Sequence, residues 1–141
     1  MSSSHYQIIS PLTEDDVDRV LKLFQHTWWA NNRTKEEIRV LLQKSSLCIG
    51  IISDQQKLIG FGRVLSDTIE KATIYDIIVD PLFRGQSIDD LIIKHLCQSK
   101  YCEHVRHIEL YCMDEMIRYY ESLGFREISV KLNLLRITKD R

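Results

Sequence analysis

VDPLFRGQSIDD, residues 79–90, joins an apolar strand pattern to an apolar helix pattern through a tight turn. Pro81 ends the strand pattern, because proline donates no hydrogen bond to a sheet. Gly85 permits a tight turn, and the helix pattern begins at Ser87. The N-terminus of a helix carries free N–H groups and about half a positive charge. The stretch therefore predicts a site for an anion such as a phosphate group.

The same two patterns continue on both sides of the turn. Thr13 and Thr34 are typical helix N-caps, and alternating apolar residues mark the strands. The predicted elements are a strand at 6–9, helices at 13–28 and from 34, a hairpin at 47–67, a strand at 72–81, a helix at 87–98, a strand at 105–112, a helix at 113–125 and one or two strands within 126–138. This order, β-α-α-β-β-β-α-β-α-β, predicts an α/β (α+β) fold with a mixed, mostly antiparallel central sheet and helices on both faces.

Length and composition narrow the class of protein. A chain of 141 residues that is 44% hydrophobic suits a single domain, residues 1–141. The 19 Lys and Arg residues are scattered and are balanced by 20 Asp and Glu residues, which argues against nucleic acid as a partner. No run of about 18 apolar residues or signal peptide is recognisable, so we expect a soluble, cytoplasmic protein without a membrane segment.

Cysteine and histidine spacing bears on metal binding and disulfides. A chain with an adequate core does not need disulfides, so we expect free thiols at the four cysteines, Cys48, Cys97, Cys102 and Cys112. Residues 95–112 contain three of these cysteines and three histidines, all of them zinc ligands in other proteins. Because neither a CxxC nor an HxxxH pair is present, we predict no metal site, and a zinc-binding module is the least favoured alternative.

A second motif lies downstream in YYESLGF, residues 119–125, where Gly124 is a typical helix C-cap. With this motif the chain resembles the GCN5-related N-acetyltransferase (GNAT) family. IIVDPLFRGQSID, residues 77–89, matches the family's VxPxxRGxGxG, and MIRYYESLGF, residues 116–125, matches its AxxxYExxGF. The resemblance implies a GNAT fold and an enzyme that moves the acetyl group of acetyl-CoA to a primary amine of a small molecule or peptide. The transfer would proceed by direct attack in a ternary complex and release coenzyme A.

The resemblance also assigns the cofactor-binding residues. The backbone at the end of the central strand would pair with the pantetheine arm and the thioester carbonyl, and the turn would hold the pyrophosphate. The residues so implied are Ile77, Ile78, Val79, Arg84, Gly85, Gln86, Ser87, Ile88, Asp89 and Asp90. A strand N–H aimed at the carbonyl would stabilise the oxyanion, a kind of donor whose loss typically costs about 10²-fold in rate.

Two residues are candidates for proton transfer. By the resemblance, Tyr120 occupies the position of the tyrosine that protonates the departing thiolate, and a phenol of pKa about 10 can pass a proton to a thiol of pKa about 8.5. Asp76 is the acid within the central strand and a candidate general base, with a structural role and a water-mediated route as alternatives. Strand alternation predicts Tyr75 and Asp76 on opposite faces of the sheet.

Aromatic and basic residues mark a candidate acceptor site. TWWANNR, residues 27–33, contains adjacent tryptophans that cannot both face one helix core, so we expect one of them to line a pocket or an interface. Guanidinium groups bind carboxylates through two hydrogen bonds, which favours an acceptor with a carboxylate. The candidate acceptor residues are Trp28, Trp29, Arg33, Arg63 and Tyr75. The alternative is one core tryptophan, one rim tryptophan and two solvated arginines.

Departures from the family pattern keep a second function open. Ser87 and Asp89 stand where the family usually has Gly or Ala, and Ser87 with Asp90 is a capping pair that would compete with a phosphate. Asp89 facing the pyrophosphate would lower affinity about ten- to a hundredfold, but nothing would be lost if it pointed outward. The alternative is a non-catalytic GNAT-fold protein that binds a ligand or partner. The apolar run at 128–137 would also allow strand exchange or edge pairing into a homodimer.

Overall fold

The computed structural model describes residues 5–128 and 132–140. The chain divides into two compact units, Met1–Leu110 and Tyr111–Arg141. The single domain predicted for residues 1–141 stays a prediction.

The first unit is built on a five-stranded sheet in the order β1-β2-β3-β4-β5. Neighbouring strands are antiparallel except β4 and β5, which are parallel. Its elements in chain order are β1 (Gln7–Ile9), α1 (Val17–Phe24), α2 (Lys35–Lys44), β2 (Leu47–Ile52), β3 (Leu58–Ser66), β4 (Lys71–Val79), α3 (Ile88–Cys97) and β5 (His107–Glu109). This arrangement confirms the predicted mixed, mostly antiparallel sheet.

Two neighbouring residues of β3 show how the helices cover the sheet. Phe61 is fully buried and packs edge-on against Phe24 of α1, with ring centroids 5.2 Å apart. Gly62 faces α3, since a Cβ atom added there would lie 2.4 Å from the side chain of Ile92. Successive strand residues point to opposite faces, so α1 and α3 lie on opposite faces of the sheet, as predicted.

Side-chain hydrogen bonds set the helix ends. The Thr34 hydroxyl accepts from the N–H of Glu37 at 3.1 Å, and the Glu37 carboxylate accepts from the N–H of Thr34 at 2.9 Å, which confirms Thr34 as the N-cap of α2. Helix α1 ends at Phe24 and not near Trp28 as predicted. The reason is Thr27, whose hydroxyl donates to the Phe24 carbonyl at 2.8 Å and accepts from the N–H of Ala30 at 3.1 Å, closing a turn instead of continuing the helix.

The second unit contains helix α4 (Ile117–Ser122), which follows a 3-10 turn at Asp114–Met116. Gly124 has φ +100°, and its N–H donates to the Glu121 carbonyl at 3.0 Å, confirming it as the end of the helix. The final strands predicted within 126–138 are not found at residues 126–128 and 132–138, and residues 129–131 lie outside the described part of the chain.

Candidate active site

The C-terminal half of β4 has one edge that no strand among the described residues of the first unit covers. β4 pairs with β5 from Lys71 to Thr73 only, although β4 continues to Val79. On its other side, the N–H of Asp80 donates to the Ile59 carbonyl of β3 at 2.7 Å. Because N–H groups alternate in direction along a strand, those of Val79 and Ile77 point away from β3. We call this side of residues 74–79 the open edge, and an extended ligand can pair with it as an added strand would.

A β-bulge interrupts β4 beside the open edge. Ile78 pairs with Phe61 and Tyr75 pairs with Arg63, so β4 contains one more residue than β3 over this span. Asp76 lies in the bulge with φ +55°, a conformation that Asp tolerates better than most residues.

The bulge corrects the predicted alternation of side chains. The Arg63 guanidinium lies 4.8 Å from the centre of the Tyr75 ring, and its Nε donates to Asp76 Oδ2 at 2.8 Å. Tyr75 and Asp76 therefore face the same side of the sheet, and their predicted placement on opposite faces was wrong. The extra residue of the bulge is the physical reason.

Asp80 shapes the turn that follows β4. Its carboxylate accepts from the N–H of Leu82 at 2.9 Å and pairs with Lys57 Nζ at 3.1 Å, although its residue surface is only 3% exposed. The turn continues as a 3-10 helix at Pro81–Phe83. Sequence reasoning missed Asp80, but an Asp directly before Pro is the usual signal of an N-cap followed by the first helical position.

Two left-handed residues bring the chain from this turn into α3. Gly85 has φ +82° and Ser87 has φ +61°. Ser87 makes no side-chain hydrogen bond to the start of α3, so the predicted capping by the Ser87 side chain was wrong. The left-handed backbone at Ser87 accounts for this difference, because an N-cap side chain normally reaches the helix from an extended residue.

Asp89 turns back onto the N-terminus of its own helix. Its Oδ1 atom accepts from the N–H of Asp90 at 3.1 Å. The carboxylate thus occupies one of the N–H groups that an anion would use, and its charge is attracted by the same helix dipole. The structure therefore has an internal competitor for an anion at this site.

Four side chains meet on the side of β4 that faces α1, those of Trp29, Arg33, Arg63 and Asp76. We call these four the Asp76 network. Asp76 Oδ2 accepts from Arg63 Nε at 2.8 Å and from a terminal nitrogen of Arg33 at 3.0 Å. Asp76 Oδ1 accepts from the indole N–H of Trp29 at 3.0 Å. Trp28 packs edge-on against Trp29, with ring centroids 5.7 Å apart, and is 72% exposed. The predicted acceptor residues are thus brought together, with Asp76 among them.

The Asp76 carboxylate stays charged in this environment. Its side chain is only 5% exposed, and burial alone would raise its pKa. Hydrogen bonds from Arg63 and Trp29, together with the charges of Arg63 and Arg33, outweigh burial and hold the pKa of Asp76 below its usual value. A carboxylate of lowered pKa is a weak proton acceptor, so these contacts favour the structural alternative for Asp76 over a general base.

Tyr120 lies on α4 in the second unit. Its ring is partly buried and contacts the Phe125 ring edge-on, with centroids 5.9 Å apart. The N–H of Phe125 donates to the Tyr120 carbonyl at 3.1 Å and so forms the turn that ends α4. This turn fixes the backbone that carries the Tyr120 hydroxyl, and the catalytic role of that hydroxyl stays a prediction.

The described residues also bear on metal binding, disulfide formation and membrane insertion. No three His, Cys, Asp or Glu side chains there are grouped closely enough to hold a metal ion. The cysteines at 48, 97, 102 and 112 are free thiols. Nor does any helix within residues 5–128 and 132–140 have the length and apolar character needed to cross a membrane.

Comparison with known proteins gives the family. Residues 45–127, more than half of the chain, match the family model described as an acetyltransferase (GNAT) domain. An uncharacterized N-acetyltransferase from Gracilaria tenuistipitata var. liui is 28% identical over 107 residues, which is 74% of this chain and 58% of that protein. The chain spans about half the length of the curated relatives that it matches.

Solved structures share the fold. A GNAT family acetyltransferase from Streptococcus pneumoniae TIGR4 superposes with a TM-score of 0.76 at 18% identity, covering 98% of this chain and 100% of that one. An aminoglycoside N-acetyltransferase in complex with CoA gives a TM-score of 0.74 at 14% identity, covering 96% and 97%. The matched family model and these folds agree with the two sequence motifs. The chain belongs to the GNAT acetyltransferase family.

Proposed function

We propose that the protein is an N-acetyltransferase that moves the acetyl group of acetyl-CoA to a primary amine of a small molecule or peptide. The observation that carries this proposal is the open edge of β4, which leads through the left-handed turn at Gly85 and Ser87 to the N-terminus of α3. Acetyl-CoA has a matching order of groups, an extended amide-containing arm followed by a pyrophosphate. The solved neighbour in complex with CoA supports the same assignment.

Each part of the open edge and the turn has a proposed role. The backbone of residues 77–79 would pair with the pantetheine arm, since N–H groups of this strand point away from β3. The pyrophosphate would be held by N–H groups of the turn and of the first turn of α3, where the Asp89 carboxylate competes for the N–H of Asp90. Arg84 is exposed in that turn and adds a positive charge. The full proposed set is Ile77, Ile78, Val79, Arg84, Gly85, Gln86, Ser87, Ile88, Asp89 and Asp90.

The proposed reaction is a direct attack of the amine on the thioester carbonyl in a ternary complex. An N–H of the open edge would stabilise the negative charge that develops on the carbonyl oxygen. Tyr120 would protonate the departing thiolate. Because Asp76 is held by three hydrogen bonds, the amine would lose its proton through water rather than directly to Asp76.

The acceptor would bind beside Trp28, Trp29 and Tyr75. Two arginines and one aspartate give the Asp76 network a net charge of +1 (2 − 1), which favours an acceptor with a carboxylate over a polycationic amine. Both arginines already donate hydrogen bonds to Asp76, so they are not the two solvated arginines of the alternative. In this structure they bind the carboxylate of Asp76 and not that of an acceptor. Cytoplasmic location and a homodimer stay predictions.

Acetylation of a panel of primary amines, followed by mass spectrometry, tests this function. The panel should pair amino acids and peptide N-termini with polyamines at equal concentration. Formation of an acetylated amine that depends on both the protein and acetyl-CoA is expected. If the protein binds acetyl-CoA and acetylates no member of the panel, the non-catalytic alternative is favoured, and the position of the Asp89 carboxylate is the observation that supports that alternative.

Removal of the Asp89 charge should tighten cofactor binding. In the Asp89→Asn variant we expect the dissociation constant of coenzyme A to fall about tenfold, because a carboxylate no longer repels the pyrophosphate at the start of α3. The difference should shrink as salt is added, since salt screens charge repulsion. Calorimetry measures both effects. Asp54→Asn, in the exposed β2–β3 turn, is the matched control for loss of one negative charge. Equal affinities in all three proteins would show that Asp89 does not compete with the cofactor.

A further inference from the structure

The Asp76 network joins two parts of the first unit that are distant in sequence. Trp29 and Arg33 belong to the connection between α1 and α2, residues 25–34, while Asp76 belongs to β4. The two hydrogen bonds from the connection to the Asp76 carboxylate are both 3.0 Å long. They tie a segment without regular secondary structure directly to the central strand.

The bulge in β4 is what makes this tie geometrically possible. In a regular strand the side chain after Tyr75 would point toward α3, away from the α1–α2 connection. The extra residue and the φ of +55° turn the Asp76 carboxylate to the side of Tyr75 and Arg63 instead. Arg63 then fixes the carboxylate from β3, and its side chain is only 13% exposed.

The α1–α2 connection makes further contacts with the first unit besides its two hydrogen bonds to Asp76. The Arg33 guanidinium lies 5.2 Å from the centre of the Phe24 ring at the end of α1. Thr27 and Ala30 are buried, whereas Trp28 and Trp29 are 72% and 46% exposed. The connection is thus anchored by its small residues and its arginine, and it presents two indole rings outward.

We propose that Asp76 is a positioning residue that holds the α1–α2 connection against β4 and so sets the acceptor-binding surface of Trp28 and Trp29. The proposal rests on the proposed function for the identity of that surface. Asp76 does not touch the reacting atoms in this account. Its loss would release Trp29 and Arg33 together, because both bind the same carboxylate.

Intrinsic fluorescence tests the tie without any substrate. The chain contains two tryptophans, Trp28 and Trp29, so its tryptophan emission comes only from this connection. In a Trp28→Phe variant, all tryptophan emission comes from Trp29. Adding Asp76→Asn should shift the emission to longer wavelength and raise the rate of quenching by acrylamide about twofold or more, because Trp29 loses a charged hydrogen-bond acceptor.

Matched variants separate the tie from general loss of stability. Asp16→Asn removes another ion-paired aspartate of the first unit, one that bonds Arg19 outside the connection, and should leave Trp29 emission unchanged. Arg33→Gln removes the second bond of the connection while keeping Asp76 paired with Arg63, so it covers the case in which Asp76→Asn does not fold. Far-ultraviolet circular dichroism checks the fold of each variant.

Kinetics test the consequence for the acceptor. Asp76→Asn is expected to raise the KM of the acceptor about tenfold, since small displacements of substrate-positioning groups have large effects, and to leave the dissociation constant of coenzyme A unchanged. Unchanged Trp29 emission in folded Asp76→Asn and Arg33→Gln would overturn the proposal. A shift in emission with unchanged acceptor KM would overturn it too, because the tie would then be structural only. If the wild type acetylates no amine, the proposed function fails, and the fluorescence still decides whether Asp76 holds the connection.

Discussion

Replacement of Tyr120 by phenylalanine is expected to lower kcat about a hundredfold, with little change in the affinity for acetyl-CoA. The phenol would give its proton to the thiolate of coenzyme A as the thioester carbon–sulfur bond breaks. Phenylalanine keeps the ring and its edge-on contact with Phe125 but cannot supply a proton. Steady-state kinetics give kcat, and calorimetry gives the cofactor affinity.

Tyr119→Phe is the matched control for this prediction. Tyr119 is the neighbouring residue on α4, and its ring lies 5.0 Å from that of Tyr120. Loss of its hydroxyl should change kcat less than loss of the Tyr120 hydroxyl. A fully active Tyr120→Phe variant would mean that water or the acidity of coenzyme A itself is sufficient. A larger loss of kcat in Tyr119→Phe than in Tyr120→Phe would show that Tyr119, and not Tyr120, donates the proton.

Replacement of Gly62 by alanine is expected to destabilise the fold by about 1–3 kcal/mol, the usual cost of overpacking a core. The added Cβ atom would lie 2.4 Å from Cγ2 of Ile92 and 3.1 Å from Cδ1 of Leu96, and both side chains are fully buried on α3. The Ile92 side chain, or α3 with it, must therefore shift away from β3. Because the N-terminus of α3 and the open edge of β4 are proposed to hold one ligand, cofactor affinity should fall as well. Thermal unfolding and calorimetry measure the two effects.

Gly85→Ala provides the comparison that separates space from backbone conformation. Apart from its chain neighbours, no atom of the described residues lies within 4 Å of a Cβ added at Gly85, so its cost comes from the φ of +82° and should be about 1 kcal/mol. We expect the Tm of Gly62→Ala to be the lower of the two. A Tm of Gly62→Ala equal to that of the wild type would show that β3 and α3 are not packed as closely as described.

Local patterns predicted the elements of this fold because their physical causes are local. The N-cap at Thr34 needs only a hydroxyl and a glutamate three residues later, and the end of α4 needs only Gly124. The order of strands and helices then leaves few ways to build a mixed sheet. The same reasoning brought Trp29, Arg33 and Arg63 forward as members of one candidate site.

The features that sequence reasoning missed depend on backbone geometry that residue patterns do not specify, and one of them depends on the pairing of two strands. Strand alternation assumes a regular ladder, but β3 and β4 pair with a bulge, and that bulge redirects Asp76. The capping role predicted for Ser87 assumed an extended backbone, whereas the turn gives Ser87 a positive φ. The end of α1 at Phe24 follows from the hydrogen bonds of the Thr27 side chain. The apolar pattern alone was equally compatible with a helix that continues past Phe24.

The proposed function depends most on whether the open edge of β4 and the N-terminus of α3 together bind coenzyme A. Titration of the purified protein with coenzyme A and with acetyl-CoA by calorimetry measures this directly. We predict a single saturable site for each ligand, with dissociation constants below about 1 mM, and tighter binding in Asp89→Asn. Absence of saturable binding at millimolar concentration, in both the wild type and Asp89→Asn, would contradict the account.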